Sequence, residues 1–425
     1  RILAKAAGLL RERKEALAQL MTREQGKILS ESLGELEKGI TLIEWFAGEG
    51  LRLGGQTQPS ELPQNLLYTL RQPLGVVSII TPWNFPFAIP AWKIAPALVA
   101  GNCVVFKPAS LVPALAVELV KAFHEAGLPA GVLNLVLGSG SAMGDLLVED
   151  PRIKAVSFTG SNEIGKRVHT IAGARGIKAT CEMGGKNPAV IWEDADLELA
   201  LGGVMKGAFG ATGQRCTATS RLILHESIAE TFLSMLLGEV AKIKVGNGLD
   251  KTVTMGPAVD ESQLKTNLEY IEIAKKEGAK LLCGGRRLSA GAHAHGWFVE
   301  PTVFDEVTPA MRLWREEVFG PVLAVTRTKD FDHALALAND SSFGLTCAFY
   351  SRDLTLAMRF TEEVEAGMVH LNSPTIGGEA QGPFVGVKGS GVGDREMAKE
   401  GVLFFTEQKT VFLDYTGQRR SSNLY

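Results

Sequence analysis

The sequence predicts an α/β protein with two doubly wound, mainly parallel sheets and a separate β-arm. Short apolar runs alternate with helical segments from about residue 75 to residue 182, and a second block with the same rhythm runs from about 187 to 340. This alternation is typical of parallel sheets that are covered by helices. A polar, weakly alternating stretch over residues 56–72 belongs to neither block and predicts an exposed arm.

The elements follow from apolar spacing and from the residues that interrupt it. Residues 1–53 carry apolar side chains at helical spacing, and Gly54 and Gly55 end this region. In the first block we expect strands at 75–80, 103–106, 132–137, 154–158 and 178–181, and helices at 87–99, 115–125, 141–148 and 163–172.

The second block and the C-terminal region complete the predicted fold. We expect strands at 188–191, 221–224 and 322–325, and helices at 195–209, 228–242 and 261–277. Residues 377–393 predict a long Gly-rich loop. The alternation at 410–413 has few neighbours in sequence and predicts a strand that adds to the sheet edge of another chain.

Composition restricts the classes of function. The chain has 425 residues, 45% of them hydrophobic, which is enough for two or three domains. A net charge of -3 implies no strong attraction to nucleic acid or to an anionic membrane. No apolar run approaches the roughly 18 residues of a membrane span. We therefore expect neither nucleic acid nor a membrane as a partner.

Cysteine and histidine placement argues against disulfides and metal. The five cysteines are scattered without metal-ligand spacing, and an odd, sparse count predicts reduced thiols in the cytoplasm. His293 and His295 lie in a Gly/Ala-rich loop, where we expect solvent exposure and no metal site. The chain begins at Arg1 inside an amphipathic pattern. We therefore expect the natural N-terminus to be missing, which leaves a targeting segment open.

Cys216 is the first candidate for chemistry. It follows a run of small and polar residues, Gly-Ala-Thr-Gly-Gln-Arg, in which Gly213 permits a close backbone approach. Polar neighbours of this kind build no core, so the thiol is either presented as a nucleophile or is an ordinary buried cysteine.

Asn84 and Glu182 each follow a predicted strand. Asn84 lies between rigid residues in Thr-Pro-Trp-Asn-Phe-Pro, where its amide either stabilises an oxyanion or forms a turn. Glu182 precedes Met-Gly-Gly-Lys, and if it is desolvated it is suited to act as a general base; the alternative is a capping residue.

Three further segments are suited to a phosphate or a sugar. Lys107 ends a strand at an edge where a ribose or a phosphate is commonly bound, or it is an ordinary surface lysine. Gly160 and Gly165 open a helix whose N-terminus attracts phosphate, although GxGxxG is absent and the signal alone is weak. Glu317 and Phe319 form either a ribose and ring contact or a surface turn.

Taken together and in this order, these segments resemble the aldehyde dehydrogenase superfamily. The resemblance covers almost the whole chain and rests on eight segments, namely 81–86, 107–109, 158–161 with Gly165, 182–186, 213–216, 317–321, 339–345 and 388–391. It implies an NAD(P)-binding domain at 1–55 and 74–184, a catalytic domain at 185–385, a return to the cofactor domain at 386–406, and an oligomerisation arm at 56–73 and 407–416. Homodimers or homotetramers are implied as well.

The resemblance also implies roles for single residues. Cys216 resembles the nucleophile that carries the acyl group, Glu182 the base that activates water, and Asn84 the oxyanion donor. The implied cofactor-binding residues are Thr81, Pro82, Trp83, Lys107, Ser110, Gly160, Ser161, Gly165, Met183, Gly184, Glu317 and Phe319.

Three segments, at 85–96, 213–221 and 372–379, resemble the branch of the family that oxidises α-ketoglutarate semialdehyde. Succinate semialdehyde and other ω-carboxyl aldehydes are the nearest alternatives. A substrate carboxylate needs a cation near the mouth of the site, and Arg215 and Arg221 are the candidates. Two alternative reactions are acyl transfer to CoA and cofactor-free hydrolysis by Cys216. The presence of Glu182 argues against transfer to CoA, because only hydrolysis needs a base to activate water. A cysteine hydrolase needs a histidine near the thiol, and no histidine lies near any of the motifs. Intact Cys216, Glu182 and Asn84 also argue against a purely structural protein.

Three positions depart from the family pattern. Ser110 stands where many relatives carry a glutamate that binds the adenosine ribose. Without that carboxylate, a 2′-phosphate meets less repulsion, so we expect NADP to be accepted beside NAD. Met183 replaces a usual leucine, which is a volume-conserving change. Val385 replaces a frequent glycine and is expected to narrow the freedom of a loop near the substrate.

Overall fold

The computed structural model describes residues 1–419 of the chain. Its helices are α1 (Ile2–Glu12), α2 (Lys14–Gln25), α3 (Leu29–Glu49), α4 (Ala88–Val99), α5 (Pro113–Glu125), α6 (Gly140–Met143), α7 (Leu146–Glu149), α8 (Asn162–Ala174), α9 (Leu197–Phe209), α10 (Glu226–Val240), α11 (Glu261–Lys276), α12 (Arg312–Arg315), α13 (Phe331–Asn339), α14 (Leu354–Glu363) and α15 (Ala398–Phe404). Two 3-10 turns, Gly210–Gly213 and Gly291–His293, lie between them.

The strands are β1 (Thr57–Gln58), β2 (Asn65–Pro73), β3 (Val76–Ile80), β4 (Cys103–Lys107), β5 (Leu133–Leu135), β6 (Ile153–Thr159), β7 (Lys178–Glu182), β8 (Asn187–Ile191), β9 (Thr219–His225), β10 (Lys280–Cys283), β11 (Arg287–Leu288), β12 (Phe298–Val299), β13 (Thr302–Asp305), β14 (Val322–Thr328), β15 (Phe343–Gly344), β16 (Thr346–Tyr350), β17 (Met368–Leu371), β18 (Val387–Lys388), β19 (Gly391–Val392) and β20 (Thr406–Asp414).

The first α/β unit is built on a six-stranded sheet in the order β19-β7-β6-β3-β4-β5. Strands β3 to β7 are parallel, and only β19 runs antiparallel, on the edge next to β7. Helix α3 packs on α4, and α1 and α2 pack on α5, so the N-terminal helices share one core with this sheet. The parallel arrangement brings the carboxyl ends of β3, β4, β6 and β7 to one edge.

The second α/β unit is built on a seven-stranded sheet in the order β10-β13-β14-β9-β8-β16-β17, parallel except for β10. Every residue of β8 is buried, as expected for a strand covered on both faces. Helices α9 and α10 contribute to the core on one face, and α11, α13 and α14 to the core on the other. The expected α/β fold with two doubly wound sheets is thus confirmed.

Local sequence explains where several of these helices begin. Aspartate side chains accept backbone N–H groups in the first turn of four helices of the second unit, namely Asp196, Asp260, Asp330 and Asp353. Helix α5 begins at Pro113, where a missing N–H costs nothing. Within residues 1–419, no helix combines the length and the apolar character that crossing a membrane requires.

Three expectations about the elements are corrected. The helix expected at 141–148 is split into α6 and α7, since Gly144, a poor helix former, lies between them. The loop at 377–393 contains β18 and β19, because β19 finds a partner in β7. The strand at 410–413 pairs within its own chain. It is part of β20, which lies antiparallel to β2 from Asn65↔Asp414 to Pro73↔Thr406.

Candidate active site

A cavity of about 260 Å³ lies where loops of the two α/β units meet. The first unit contributes the residues that follow β3, β6 and β7, and the second contributes Cys216 and the turn before β14. The lining residues are Pro82, Trp83, Asn84, Thr159, Gly160, Ser161, Met183, Gly184, Cys216, Gln263, Glu317 and Phe319. We call this space the cofactor-side cavity.

The loop that carries Cys216 has an unusual backbone. Ala211, Thr212 and Gly213 follow α9 with φ values of 50°, 59° and 67°, in the left-handed region. A carboxylate oxygen of Glu31 accepts the N–H of Ala211 at 2.6 Å and thereby holds this turn. A Cβ at position 213 would lie 2.2 Å from the carbonyl oxygen of Gly320, so only glycine fits there. The strained turn directs the chain into the cavity.

Cys216 is half-buried and lies at the boundary of two cavities. Burial raises the pKa of its thiol to about 12, and the negative charges of Glu317 and Glu182 act in the same direction. The backbone N–H groups of Cys216 and Thr217 oppose this shift. The thiol of the free protein is therefore protonated at neutral pH.

A raised thiol pKa has a direct kinetic consequence. We expect the rate at which iodoacetamide alkylates Cys216 in the cofactor-free protein to rise about tenfold per pH unit from pH 7 to 9, because only the thiolate reacts. Peptide mass spectrometry at several pH values measures this rate. A rate that is already constant above pH 7 would mean that the thiolate is stabilised, and it would contradict the raised pKa of the Cys216 thiol.

Asn84 is buried and lines the same cavity as Cys216. Its side-chain Nδ2 donates to the carbonyl oxygen of Gln214 at 3.2 Å, and its own carbonyl oxygen accepts from Lys27 Nζ at 2.7 Å. The carboxamide carries two N–H groups, of which Gln214 takes one. Gln214 thus sets the direction of the carboxamide, and Lys27 holds the backbone that carries it.

Glu182 ends β7 and is buried. One carboxyl oxygen accepts the N–H of Gly386 at 3.3 Å, and the other has no hydrogen-bond partner among the described residues. Burial, followed by the charge of Glu396, raises the pKa of Glu182 well above its ordinary value. A Cβ at position 386 would come within 2.8 Å of this carboxyl group, so glycine at 386 leaves room for it.

Val385 is half-buried, and its carbonyl oxygen packs against Gly367.

The cofactor-side cavity is also lined by the half-buried Glu317. Burial raises the pKa of Glu317 to about 7, and its Oε1 accepts the N–H of Gly185 at 2.8 Å. A Cβ at position 184 would lie 2.0 Å from Glu317 Oε2, so Gly184 is required for this approach. Phe319 has a φ of 59°, and its ring meets Trp83 edge-on with 5.4 Å between the ring centroids.

These groups fit a dinucleotide. Helix α8 begins at the cavity, and the unpaired N–H groups of a helix N-terminus favour phosphate. The hydroxyls of Thr81 and Thr159 are buried without a hydrogen-bond partner within residues 1–419, as expected for groups that await a polar ligand. A carboxyl group such as that of Glu317 is suited to ribose hydroxyls.

Not all sequence-predicted residues line this cavity. Its lining does not include Thr81, Lys107, Ser110, Gly165 or Glu182, although Glu182 lies directly before Met183 of its wall. Burial lowers the pKa of Lys107, whose Nζ donates to the carbonyl of Pro108 at 3.1 Å. The exposed Ser110 donates to the carbonyl of Gly138 at 3.0 Å. At Gly165, a Cβ would lie 2.5 Å from the sulfur of Met183.

Sequence reasoning missed two lining residues, Thr159 and Gln263. Thr159 was detectable, since it lies between Phe158 and Gly160 at a strand end. Gln263 belongs to no motif. Its Nε2 donates to the carbonyl oxygens of Val318 and Phe319 at 3.0 and 3.1 Å, and it thereby supports the turn that carries Phe319.

A second cavity of about 420 Å³ opens on the other side of Cys216, and we call it the substrate-side cavity. Much of its wall is apolar, formed by Phe85, Ile89, Trp92, Ile376 and Phe384. The rings of Trp92 and Phe384 stack with 5.6 Å between their centroids. Its two cationic residues are Lys38, whose Nζ donates to the carbonyl of Gly378, and Arg215.

Of the two arginines expected near a substrate, only Arg215 lines the substrate-side cavity. Arg215 lies in the substrate-side cavity, with its guanidinium 5.6 Å from the centroid of Phe85 and 3.5 Å from a carboxylate oxygen of Glu31. Arg221 is buried elsewhere and donates to the carbonyls of Lys186, Leu337, Ala338 and Asp340. The expectation that Arg221 meets the substrate is wrong, because its guanidinium caps the end of α13.

The sequence profile of the aldehyde dehydrogenase family matches residues 1–411 of the chain. The chain belongs to the aldehyde dehydrogenase family. It is therefore an oxidoreductase that acts on aldehydes. Within residues 1–419, no group of three or more histidine, cysteine or acidic side chains is arranged to hold a metal ion.

Similar proteins are aldehyde dehydrogenases of named specificity. The α-ketoglutaric semialdehyde dehydrogenase of Bacillus subtilis is 46% identical over 97% of this chain and 84% of its own length. The 2,5-dioxopentanoate dehydrogenase of Saccharolobus solfataricus is 45% identical over 97% of this chain and 86% of its own length.

A solved structure of betaine aldehyde dehydrogenase from Staphylococcus aureus in complex with NAD+ superposes with a TM-score of 0.96 at 36% identity, covering 99% of this chain and 83% of that one. An E. coli enzyme described as NADP dependent superposes with a TM-score of 0.93 at 39% identity, covering 97% of this chain and 84% of that one.

Proposed function

We propose that this aldehyde dehydrogenase oxidises α-ketoglutarate semialdehyde to α-ketoglutarate. The observation that carries the proposal is Arg215, a cation that lines the substrate-side cavity one residue before the thiol of Cys216. A guanidinium there is suited to the carboxylate at the far end of the aldehyde. Similarity to the semialdehyde dehydrogenases of Bacillus subtilis and Saccharolobus solfataricus supports the same substrate.

The first half of the reaction is assigned to Cys216 and Asn84. The Cys216 thiol loses its proton to solvent, the resulting thiolate adds to the aldehyde carbon, and the carbonyl oxygen becomes an oxyanion. The free N–H of the Asn84 carboxamide and the backbone N–H of Cys216 donate to that oxygen. Because Gln214 holds the other N–H of Asn84, the donor is already oriented before substrate binds.

The cofactor-side cavity is assigned to NAD or NADP. When bound, the cofactor would supply the hydride acceptor that conversion of the hemithioacetal on Cys216 into a thioester requires. Glu317 would hold ribose hydroxyls, Phe319 and Trp83 would border the nicotinamide ring, and Lys107 would hold the second ribose. The remaining assigned contacts are Thr81, Pro82, Ser110, Gly160, Ser161, Gly165, Met183 and Gly184.

The second half of the reaction is assigned to Glu182. Its carboxylate takes a proton from water, the hydroxide adds to the thioester carbonyl, and the carbon–sulfur bond breaks to release the carboxylic acid and the thiolate of Cys216. A carboxyl group with a raised pKa is a stronger base than an exposed one. The unpartnered Glu182 oxygen is the atom that we assign to this water.

The substrate assignment predicts the effect of Arg215→Met. We expect kcat/KM for α-ketoglutarate semialdehyde to fall roughly 10- to 150-fold, since a charge-assisted hydrogen bond contributes about 1.5–3 kcal/mol. Reduced-cofactor absorbance measures the rate on a panel of α-ketoglutarate semialdehyde, succinate semialdehyde, betaine aldehyde and uncharged propanal.

Uncharged propanal serves as the internal control, because Arg215→Met leaves its kcat/KM within about threefold. Lys38→Met is the matched variant for the other cation of the same cavity. If the wild-type protein prefers cationic betaine aldehyde, or if Arg215→Met slows propanal as much as the semialdehyde, then Arg215 does not bind the substrate carboxylate and the substrate proposal is wrong.

Cofactor choice is predicted from Ser110. We expect the protein to use both NAD and NADP, and Ser110→Glu to lower kcat/KM for NADP at least tenfold while that for NAD changes little. The added carboxylate repels a 2′-phosphate. The uncharged, size-matched Ser110→Gln separates charge from bulk. A strong NAD preference in the wild-type protein would contradict the prediction.

The two α/β units and the arm are assigned separate roles. We propose that 1–55 and 74–184, with 386–406, form the cofactor domain, that 185–385 form the catalytic domain, and that 56–73 and 407–416 form an oligomerisation arm. The arm contains a three-stranded sheet in the order β1-β2-β20, so β20 is an edge strand, and its Phe412 is 71% exposed. An edge strand with exposed apolar side chains is suited to pairing with a second copy of the chain, as a homodimer or homotetramer.

We propose a cytoplasmic location, on the basis of the cysteines. All five lie within residues 1–419 and carry free thiols there. Free thiols persist in a reducing compartment.

A further inference from the structure

We infer that Lys27 and Glu35 are positioning residues that hold the Asn84 oxyanion donor against the loop of Cys216. The inference rests on the role proposed above for Asn84. Neither residue touches the reacting atoms; each acts through the backbone of residues 84–88.

Lys27 and Glu35 form a buried ion pair. Lys27 Nζ lies 2.5 Å from Glu35 Oε2, and each side chain is only 1% exposed. Removing two charges from water is costly, and a buried pair of this kind is weak evidence of added stability. The other groups that the two side chains bind indicate a role beyond stability.

Both partners bind the loop that carries Asn84. Lys27 Nζ donates to the carbonyl oxygen of Asn84 at 2.7 Å and lies 4.2 Å from the ring centroid of Phe85. Glu35 Oε1 accepts the N–H groups of Phe87 and Ala88 at 2.8 and 3.2 Å, at the beginning of α4. One ion pair thus fixes the loop at two points, one of them the peptide group of Asn84 itself.

The same chain segment also binds the nucleophile loop. A Cβ at Gly256 would lie 2.3 Å from the carbonyl oxygen of Gly26, so the backbone before Lys27 packs directly on residue 256. The carbonyl of Gly256 accepts the hydroxyl of Thr212 at 3.0 Å, four residues before Cys216. Together with the contact from Glu31 to Ala211, these bonds place residues 26–35 between the two loops.

The consequence is a fixed distance between donor and nucleophile. Asn84 comes from the first α/β unit and Cys216 from the second, so no common strand sets their separation. A displacement of about 1 Å at a reacting centre costs on the order of 10²-fold in rate. The bond from Lys27 to the backbone carbonyl of Asn84 acts together with the bond from the Asn84 carboxamide to Gln214 to oppose such a displacement.

The test uses the neutral pair Lys27→Met with Glu35→Gln, which leaves no unpaired buried charge and keeps an acceptor for the N–H groups of α4. We expect kcat/KM for aldehyde oxidation to fall about 30- to 100-fold, since loss of a whole oxyanion donor costs about 10²–10³. Alkylation of Cys216 by iodoacetamide needs no oxyanion donor, and we expect its rate to stay within about twofold. A matched pair swap outside the two cavities, Arg327→Met with Asp305→Asn, leaves both rates unchanged.

Epistasis separates positioning from general damage. In an Asn84→Ala background, the neutral pair is expected to lower kcat/KM by less than about threefold, because the donor that it positions is gone. A full further loss there, an equal fall in the alkylation rate, or an unchanged kcat/KM in the wild-type background overturns the inference.

One further variant, Lys27→Arg, and the single variant Asn84→Ala keep the outcomes distinct. If the neutral pair does not fold, Lys27→Arg replaces it; this variant keeps a cationic donor of different shape and is judged by the same epistasis. If Asn84→Ala alone leaves kcat/KM unchanged, the proposed role of Asn84 is wrong. A normal Asn84→Ala effect with an additive loss from the neutral pair overturns only the positioning role.

Discussion

Cys216→Ala is expected to lower kcat/KM for aldehyde oxidation by at least about 10⁴-fold, the largest effect of any single substitution in this chain. Without the sulfur there is no covalent hemithioacetal or thioester, and the remaining oxyanion donors have no intermediate to stabilise. Reduced-cofactor absorbance at aldehyde concentrations well below KM measures the loss.

Cys283→Ala is the matched control, because Cys283 is a half-buried thiol that lines neither cavity. It should retain full activity and still lose one site of alkylation. Dehydrogenase turnover by Cys216→Ala would refute the covalent mechanism, and ester hydrolysis without any response to cofactor would point to a cysteine hydrolase instead.

Glu182→Gln is expected to lower steady-state kcat by about 10²–10⁴-fold, the usual contribution of a general base. The carboxamide keeps the size and the contact with Gly386, but it accepts no proton from water. Rapid mixing with aldehyde should therefore show a burst of about one reduced cofactor per site, followed by slow turnover. The surface substitution Glu239→Gln should change neither phase.

The pH dependence of deacylation is an independent test of the role of Glu182. Because burial holds the pKa of Glu182 above its ordinary value, the group is neutral at a pH where exposed carboxyl groups are already charged. A neutral carboxyl group accepts no proton, so wild-type deacylation should rise as pH increases through the raised pKa. Glu182→Gln should lack this rise. Loss of the burst as well would assign Glu182 to the first half of the reaction.

Much of the fold follows from local patterns. The strands β3, β4, β6, β8 and β9 are short apolar runs bounded by turns, and helices such as α11 show apolar spacing with a capping aspartate. The predictions for β19 and β20 failed because each strand pairs with a segment that is distant in the sequence. Strand β19 is two residues long and exists because β7 offers an edge, and β20 pairs with β2 across more than 300 residues of chain.

The candidate site was predictable to a similar degree. Strand ends carry Asn84, Gly160 and Glu182 to one sheet edge, since parallel strands end on the same side. Gln263 was missed because a helical glutamine has no motif, and only packing brings it under Phe319. Arg221 was misplaced for the same reason, since its sequence lies beside the nucleophile but its guanidinium binds carbonyls at the end of α13.

The sequence by itself determined the fold class, the family and the types of reactive group, because these depend on residue identity and on short-range spacing. Only the tertiary structure decided which groups meet. Burial raises the pKa of Cys216 and of Glu182, a strained turn presents the thiol, and Lys27 reaches the carbonyl of Asn84 across 57 residues. Desolvation and long-range hydrogen bonds depend on neighbours that are remote in the chain, and local sequence does not encode them.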